Sequence, residues 1–267
     1  MTTAGDSLRA IGHVSRMACV RQGRDFSLTS WLSGRVCAGL ALCALLGLPL
    51  QAQSAGAMNT DEARVIDQKS CQLETWVRRG QDSTESWILP ACSVGHDIEL
   101  AVGGSYLSGP SGSANSDVLV QLKRVLAPVK NGGSGWAISA GYLAHPGAYS
   151  PRRYLGDAYA NLLNSYVSAD GTRELHANLG WTHDRAGAAD RLTWGVATQI
   201  QQTGQLSWLA ELYGRDQGRP WFQVGARISI VPDRVQIDAT MGSRFGSGRE
   251  DRWASLVLRL LWPDVLP

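Results

Sequence analysis

The chain has 267 residues, of which 18% are charged, and a formal net charge of +2. Charged residues make up about 25% of an average soluble domain, so their scarcity, together with 30 Gly and 10 Trp, argues against an ordinary soluble enzyme and favours a β-rich protein in contact with lipid. A formal net charge of +2 shows no overall basic character, and we expect no nucleic-acid partner.

Residues 1–57 have the pattern of an N-terminal extension followed by a signal peptide. Arginines precede the apolar stretch "VCAGLALCALLGLPL" at 36–50, and small residues at 55–57 offer a cleavage site. The stretch is shorter than the roughly 20 residues of a membrane-spanning helix. Five of the 25 basic residues and two of the 23 acidic ones lie in this leader, so its removal leaves a nearly neutral chain. We expect a mature protein that begins at Gln53 or Met58, with residues 58–267 forming one domain.

The segment "TDEARVIDQKS" precedes the first predicted strand and is strongly polar. It allows two interpretations: a plug that enters a barrel lumen from below, or an ordered periplasmic lead-in to the first strand. The lead-in is the simpler interpretation and is the one we expect.

The remaining chain predicts twelve strands, each close to the roughly 9–11 residues with which a tilted strand crosses a bilayer. The segment "RELHANLGWTHD" shows the pattern most clearly, because apolar residues alternate with polar ones. An even number of such strands predicts an all-β fold, a twelve-stranded antiparallel transmembrane β-barrel. The predicted strands are 70–79, 84–92, 96–107, 116–127, 135–144, 154–167, 172–183, 191–201, 205–215, 220–231, 234–245 and 252–262.

Connection lengths orient this barrel. The even connections, such as "SADG", "QTG" and "PD", are mostly short, whereas the odd ones, "LSGPSGSANS", "AHPGAYSPR", "DRAGAAD" and "RFGSGRED", are mostly longer. Short periplasmic turns and longer outer loops are typical of outer-membrane barrels.

Aromatic residues cluster near the predicted strand ends, where they would form girdles at the two membrane interfaces. The expected periplasmic girdle contains Trp136, Tyr166, Trp208 and Trp262. The expected outer girdle contains Trp76, Trp87, Tyr106, Tyr142, Trp181, Trp194, Tyr213, Trp221 and Trp253. In this arrangement Leu175, Ala177, Leu179 and Trp181 face lipid.

The opposite face of the strands carries many charged groups, which are costly to bury unpaired but can meet water or one another in a lumen. The alternative is the solvent face of a soluble sheet. The predicted lumen-facing residues are Glu74, Arg78, Glu99, Lys123, Glu174, His176, Asn178, Glu211, Arg215, Arg227, Asp238, Arg244 and Arg259.

Cys71 and Cys92 are the two cysteines that follow the leader. An antiparallel first hairpin centred near Gln81 and Asp82 places them directly opposite each other, and the same register pairs Trp76 with Trp87 and Arg78 with Glu85. Opposed residues lie close enough for a disulfide, and the periplasm is oxidising. We predict the disulfide; two neighbouring free thiols are the alternative.

The stretches "DEARVIDQKSCQLETWVRR" and "VPDRVQIDATMG", with the aromatic end of the last strand, resemble small uncharacterised outer-membrane β-barrel proteins of proteobacteria. These are distantly similar to the transporter barrels encoded with phenol-degradation pathways. The resemblance covers about residues 60–262 and implies fold and location more than substrate. The sequence departs from the usual ending, because "PDVLP" follows Trp262.

The predicted function is a narrow passive channel or transporter for small solutes in the bacterial outer membrane, since a twelve-stranded lumen lies between filled small barrels and open porins. The alternatives are a non-conducting structural or interaction barrel and, third, an outer-membrane lipid hydrolase built on His145, His183 and Asp184. No G-x-S-x-G motif supports the hydrolase, and we expect no enzyme activity. We expect no metal and no cofactor; the expected partners are outer-membrane lipid, the barrel-assembly machinery and small solutes.

Overall fold

The computed structural model describes residues 58–110, 112–146, 156–184 and 188–267. The predicted leader and its cleavage site lie outside these residues, so the signal peptide stays a prediction. The described part of the chain holds no helix long and apolar enough to cross a membrane.

Twelve strands form one closed barrel in which each strand pairs with its neighbours in sequence and β1 pairs with β12. All pairings are antiparallel, and every predicted strand is found within a few residues of its expected position, so the predicted fold class is confirmed. The strands are β1 Cys71–Arg79, β2 Thr84–Gly95, β3 Ile98–Gly109, β4 Gly112–Ala127, β5 Gly133–Ala144, β6 Asp157–Val167, β7 Arg173–Asp184, β8 Ala189–Gln201, β9 Leu206–Arg215, β10 Trp221–Val231, β11 Val235–Arg244 and β12 Trp253–Trp262.

The two faces of the barrel differ as the alternation predicts. In β7, Leu175 and Leu179 are exposed on the outer surface, whereas Glu174 and His176 are buried on the inner one. The same division runs round the barrel, so that its outside is a belt of exposed Leu, Ile and Val and its inside is largely polar. A surface of this kind is stable only against lipid.

The first hairpin has the predicted register. Cys71 pairs with Cys92, Trp76 with Trp87 and Arg78 with Glu85. The two cysteines form the predicted disulfide, with a Cα–Cα distance of 4.1 Å. Both lie at the rim where the chain ends, which is the periplasmic rim in the orientation of outer-membrane barrels.

Two of the predicted long outer loops are wrong. β3 and β4 continue through most of "LSGPSGSANS" and pair as far as Gly109 and Gly112, and β7 and β8 continue into "DRAGAAD" as far as Asp184 and Ala189. Glycine and small polar residues are compatible with a hairpin that extends beyond the membrane, where no apolar alternation is required. The loops that remain long are 145–156 and 245–252.

One periplasmic turn, 168–172, is held by its own side chains. The Asp170 carboxylate accepts hydrogen bonds from the Ser168 hydroxyl at 2.5 Å and from the Thr172 backbone N–H and hydroxyl at 3.1 and 2.9 Å. These hydrogen bonds lower the pKa of Asp170 to about 2, and the bond from Ser168 contributes most.

Candidate functional site

The lumen of the barrel is occupied by residues 58–70, which we call the plug. Thr60, Ala63, Ile66 and Ser70 of the plug are almost completely buried. The expectation that this segment is a periplasmic lead-in is therefore wrong. The reason is physical: the inner wall carries charged and hydrogen-bonding side chains that need partners, and the polar plug supplies them.

Backbone N–H groups of the plug donate to side chains of the wall. Ile66 N donates to Glu99 Oε2 at 3.0 Å, and Ala63 N donates to Ser165 Oγ at 2.8 Å. Nearer the middle of the barrel, Asn59 N donates to Glu211 Oε2 at 3.1 Å, and Thr60 N donates to the same carboxylate. Glu99 and Glu211, which were predicted to face the lumen, thus accept hydrogen bonds from the plug. Ser165, which was not predicted, does the same.

Ion pairs add to these bonds. Arg64 Nη1 lies 2.8 Å from Glu174 Oε2, and Lys123 Nζ lies 2.7 Å from Asp61 Oδ1. Lys123 also donates to the Arg64 carbonyl at 3.3 Å. The Asn178 amide, with its O and N assigned from its surroundings, pairs with the backbone N–H and C=O of Asp61 at 2.6 and 2.9 Å. Charge on the plug therefore complements charge on the wall.

Small apolar contacts complete the plug. Ile66 packs against Ala91 and Ala101, and Ala63 packs against Ala137 and Leu163. At the tip, Met58 packs against a cluster of Leu209 and Val257, and Trp76 packs against the same cluster. Strand parity places Ala91, Ala101, Ala137 and Leu163 on the inner face, but it gives no sign that they contact the plug.

Two inner arginines are fixed within the wall itself. Arg227 donates from Nε and Nη2 to the two carboxylate oxygens of Asp238 at 2.7 and 2.8 Å, and from Nη1 to Gln199 at 2.9 Å. Arg259 donates to Gln72 at 3.0 and 2.7 Å and lies 3.7 Å from Glu74. These charge-assisted bonds, which go to two carboxylate oxygens from Arg227 and to one amide oxygen from Arg259, hold both side chains in place.

The outer half of the lumen has a different character, because several aromatic rings point into it. Trp76 and Trp87 stack with ring centroids 5.3 Å apart. The Arg78 guanidinium lies over Trp253, 4.7 Å from its centroid, and that of Arg244 lies over Trp221 at 4.4 Å. These residues and Tyr213 occupy neighbouring strands in the order β2, β1, β12, β11, β10 and β9. We call the set the aromatic crescent: Trp87, Trp76, Arg78, Trp253, Arg244, Trp221 and Tyr213.

The crescent corrects the predicted outer girdle. Trp76, Trp87, Tyr213, Trp221 and Trp253 are at the expected height but on the inner face, because each shares strand parity with inward polar residues. Tyr106, Tyr142, Trp181 and Trp194 lie on the outer face, as do Trp136, Tyr166, Trp208 and Trp262 at the other rim.

The wall opposite the crescent is acidic near the outer rim. His145 Nδ1 lies 2.5 Å from Asp117 Oδ1, and His145 Nε2 lies 3.7 Å from Asp157 Oδ2. Asp157 in turn pairs across strands with Asp184. Arg215, the remaining predicted lumen residue, is exposed at the end of β9. The outer mouth therefore has a basic, aromatic side and an acidic side.

The structure brings together one Ser-His-Glu set, but not the one expected of a hydrolase. Ser165 Oγ lies 2.8 Å from His176 Nδ1, and His176 Nε2 lies 3.6 Å from Glu174. Ser165 and His176 are fully buried beneath the plug. The predicted candidate His183 instead contacts Asp190 at 2.9 Å. Among the described residues no group of His, Cys, Asp and Glu is arranged to hold a metal ion.

A closed antiparallel barrel with an apolar outside and a polar, plugged inside defines a transmembrane β-barrel of the outer-membrane type. Within that class, the chain belongs to the family described as Uncharacterised conserved protein UCP029691, which it matches over residues 42–260. No curated protein matches the chain.

Solved structures with a similar fold are outer-membrane barrels. The KdgM porin is 7% identical, with a TM-score of 0.55 over 71% of this chain and 98% of that one. KdgM in complex with disordered oligogalacturonate is 9% identical, with a TM-score of 0.53 over 72% and 98%. The COG4313 outer membrane channel from Pseudomonas putida F1 is 12% identical, with a TM-score of 0.51 over 77% and 100%. At these identities the likeness concerns the fold.

Proposed function

We propose that the protein is a narrow passive channel for small solutes in the bacterial outer membrane, and that the plug is its gate. The observation that carries the proposal is the polar lumen, in which the plug is held mainly by ion pairs and hydrogen bonds to side chains. Interactions of this kind are exchangeable with water, whereas a gate held by an extensive apolar core is released only at high cost.

Several features support passage of solutes rather than catalysis. The wall carries charges of both signs, which select ions and polar solutes in a pore. The KdgM porin and the COG4313 channel have the same kind of barrel. The uncharacterised barrels that the sequence resembles are distantly similar to the transporter barrels encoded with phenol-degradation pathways. The proposal includes no enzymatic step, because the Ser165 hydroxyl is covered by Ala63 of the plug.

A second function is favoured by the plug itself. Because the plug fills the lumen, the protein could be a non-conducting structural barrel in which the plug stabilises the wall permanently. The two functions differ in one measurable property, the conductance of the barrel when the plug is present and when it is absent.

The experiment compares single-channel currents in planar bilayers for the intact protein and for a variant without residues 59–66. This deletion keeps Cys71 and the twelve strands. We expect intermittent, small openings from the intact protein and a steady conductance several times larger from the variant. A silent intact protein beside an open variant would favour the structural barrel, and two silent proteins would reject the channel.

A further inference from the structure

We propose that the aromatic crescent is a binding site for an organic carboxylate carried on a flat apolar ring. The inference deepens the proposed function, since the crescent lies between the outer mouth and the tip of the plug. It rests on how loosely two arginines are paired, on the aromatic rings around them and on the acidic wall opposite.

Arg78 and Arg244 are held less closely than Arg227 and Arg259. Among the described residues, the carboxylate oxygens that pair with these arginines lie 3.9 Å from Arg78, on Glu85, and 3.8 Å from Arg244, on Asp251. These distances exceed the roughly 2.7–2.9 Å of a charge-assisted hydrogen bond. The Nε of each is buried without a hydrogen-bond partner. Arg227, by contrast, is bound in bidentate fashion to Asp238.

Stacking prepares both guanidinium groups for a ligand. A guanidinium that lies over an indole ring keeps its N–H edge directed sideways, in the plane in which a carboxylate accepts two hydrogen bonds. The ring contact also removes part of the conformational freedom that binding would otherwise cost. The Arg78 and Arg244 side chains are 32% and 41% exposed, so a ligand carboxylate can reach them from the lumen.

The position of the rings defines the rest of the ligand. Arg78 on β1 lies between Trp87 on β2 and Trp253 on β12, and Arg244 on β11 lies between Trp253 and Trp221 on β10. Whatever is attached to a carboxylate at either guanidinium therefore meets indole surface. Flat apolar rings gain stacking energy there, in addition to burial of their area.

The acidic wall gives the site its direction. Asp117 and Asp157 on the far side repel a ligand carboxylate toward the crescent, and His145 lies between them. Like-charge repulsion on one side and two loosely paired guanidinium groups on the other orient an anion in the mouth.

The test is isothermal titration calorimetry of the protein purified from membranes in detergent, with benzoate as the probe. The comparison ligands are benzamide, which keeps the ring but lacks the charge, acetate, which lacks the ring, and galacturonate, whose ring is hydroxylated. We expect benzoate to bind at least tenfold more tightly than each. Equal affinity for acetate or galacturonate would overturn the assignment of an apolar ring, and equal affinity for benzamide would overturn the role of the arginines.

Variants locate the site. Arg78→Gln and Arg244→Gln should each weaken benzoate binding at least tenfold. Arg79→Gln removes the same charge one residue away, on the outer face where Arg79 donates to Thr84 at 2.6 Å, and should change the affinity less than twofold. Equal losses in all three variants would overturn the proposal.

The two arginines lie on different strands, so the test still works if one of the two variants misfolds. Circular dichroism and heat-modified electrophoretic mobility show whether each variant forms a closed barrel. Calorimetry measures binding whether or not the barrel conducts. Benzoate binding by a barrel without conductance would support the binding site and reject the channel. Conductance without benzoate binding would support the channel and reject the binding site.

Discussion

Replacement of Lys123 by Met should release the plug while leaving the barrel closed. The Lys123 ammonium is buried on the inner face and binds Asp61 Oδ1 at 2.7 Å and the Arg64 carbonyl at 3.3 Å. Breaking a buried ion pair costs about 3–5 kcal/mol because the remaining charge is left without a partner. The Asp61 side chain is 24% exposed, so we take the lower end, about 3 kcal/mol.

This loss acts first on the plug, because the two groups at hydrogen-bond distance from Lys123, the Asp61 carboxylate and the Arg64 carbonyl, both belong to it. Three kcal/mol shifts a local equilibrium by about 100-fold. The amides of Thr60, Ala63 and Ile66 donate to side chains of the wall, so their hydrogen exchange reports the docked state. We expect their exchange to accelerate by about two orders of magnitude in the variant, measured by mass spectrometry on peptides that cover residues 58–70.

Arg124→Met is the matched control, since Arg124 is the next residue along β4 and is exposed on the other face. It should leave the exchange of the plug unchanged. Unaltered exchange of the plug in Lys123→Met, or an equal acceleration in both variants, would refute the docking energetics. Faster exchange throughout the strands would show that Lys123 supports the barrel instead of the plug.

Three further outcomes are expected from urea titrations in lipid vesicles. Leu179→Arg places a charge on a residue that is 61% exposed to lipid and should cost about 2–4 kcal/mol, whereas Leu179→Ala should be mild; equal effects would show that the face is assigned wrongly. Arg227→Met should cost about 3–5 kcal/mol by leaving Asp238 unpaired, and adding Asp238→Leu should restore most of it, so a double variant as unstable as the single one would contradict this view of the pair. Hydrogen bonds lower the pKa of Asp170 to about 2, so the stability that the ionised carboxylate contributes is present at neutral pH and is lost as the pH falls from about 4 through 2. Asp170→Ala should therefore be less stable than the native chain at pH 7 and equally stable below pH 2. A difference in stability that persists below pH 2 would contradict this prediction.

Local periodicity was sufficient to predict the barrel. Strand parity is a property of each segment alone, and the first hairpin added a register test through Cys71, Cys92 and their neighbours. The positions of Glu174, His176 and Arg227 on the inner face follow from the same rule. These features need no knowledge of distant parts of the chain.

The orientation of Trp76 could have been predicted and was not. Trp76 lies between Glu74 and Arg78, both assigned to the lumen, so parity already placed its ring inside. The general preference of tryptophan for membrane interfaces outweighed the specific pattern of the strand. Trp253, two residues before the buried Ser255, gave the same signal.

The plug could not be predicted with the same certainty, because its contacts are long-range. Asp61 meets Lys123 and Thr60 meets Glu211 across 62 and 151 residues. Charges of both signs in "TDEARVIDQKS" suit a lumen with charges of both signs, but they suit water equally well. Only the closed barrel brings the partners within reach.

The C-terminal tail meets the base of the plug at the seam of the barrel, which has a consequence for the order of assembly. Asp264 N donates to Ser70 Oγ at 3.3 Å and Leu266 N donates to the Lys69 carbonyl at 2.9 Å, beside the pairing of β1 with β12. The tail after Trp262 thus fastens the base of the plug, and it can do so only once the last strand has joined the first. Barrel closure and complete docking of the plug are therefore coupled steps, because a nascent barrel whose final strand is still unpaired lacks the tail contacts to Lys69 and Ser70.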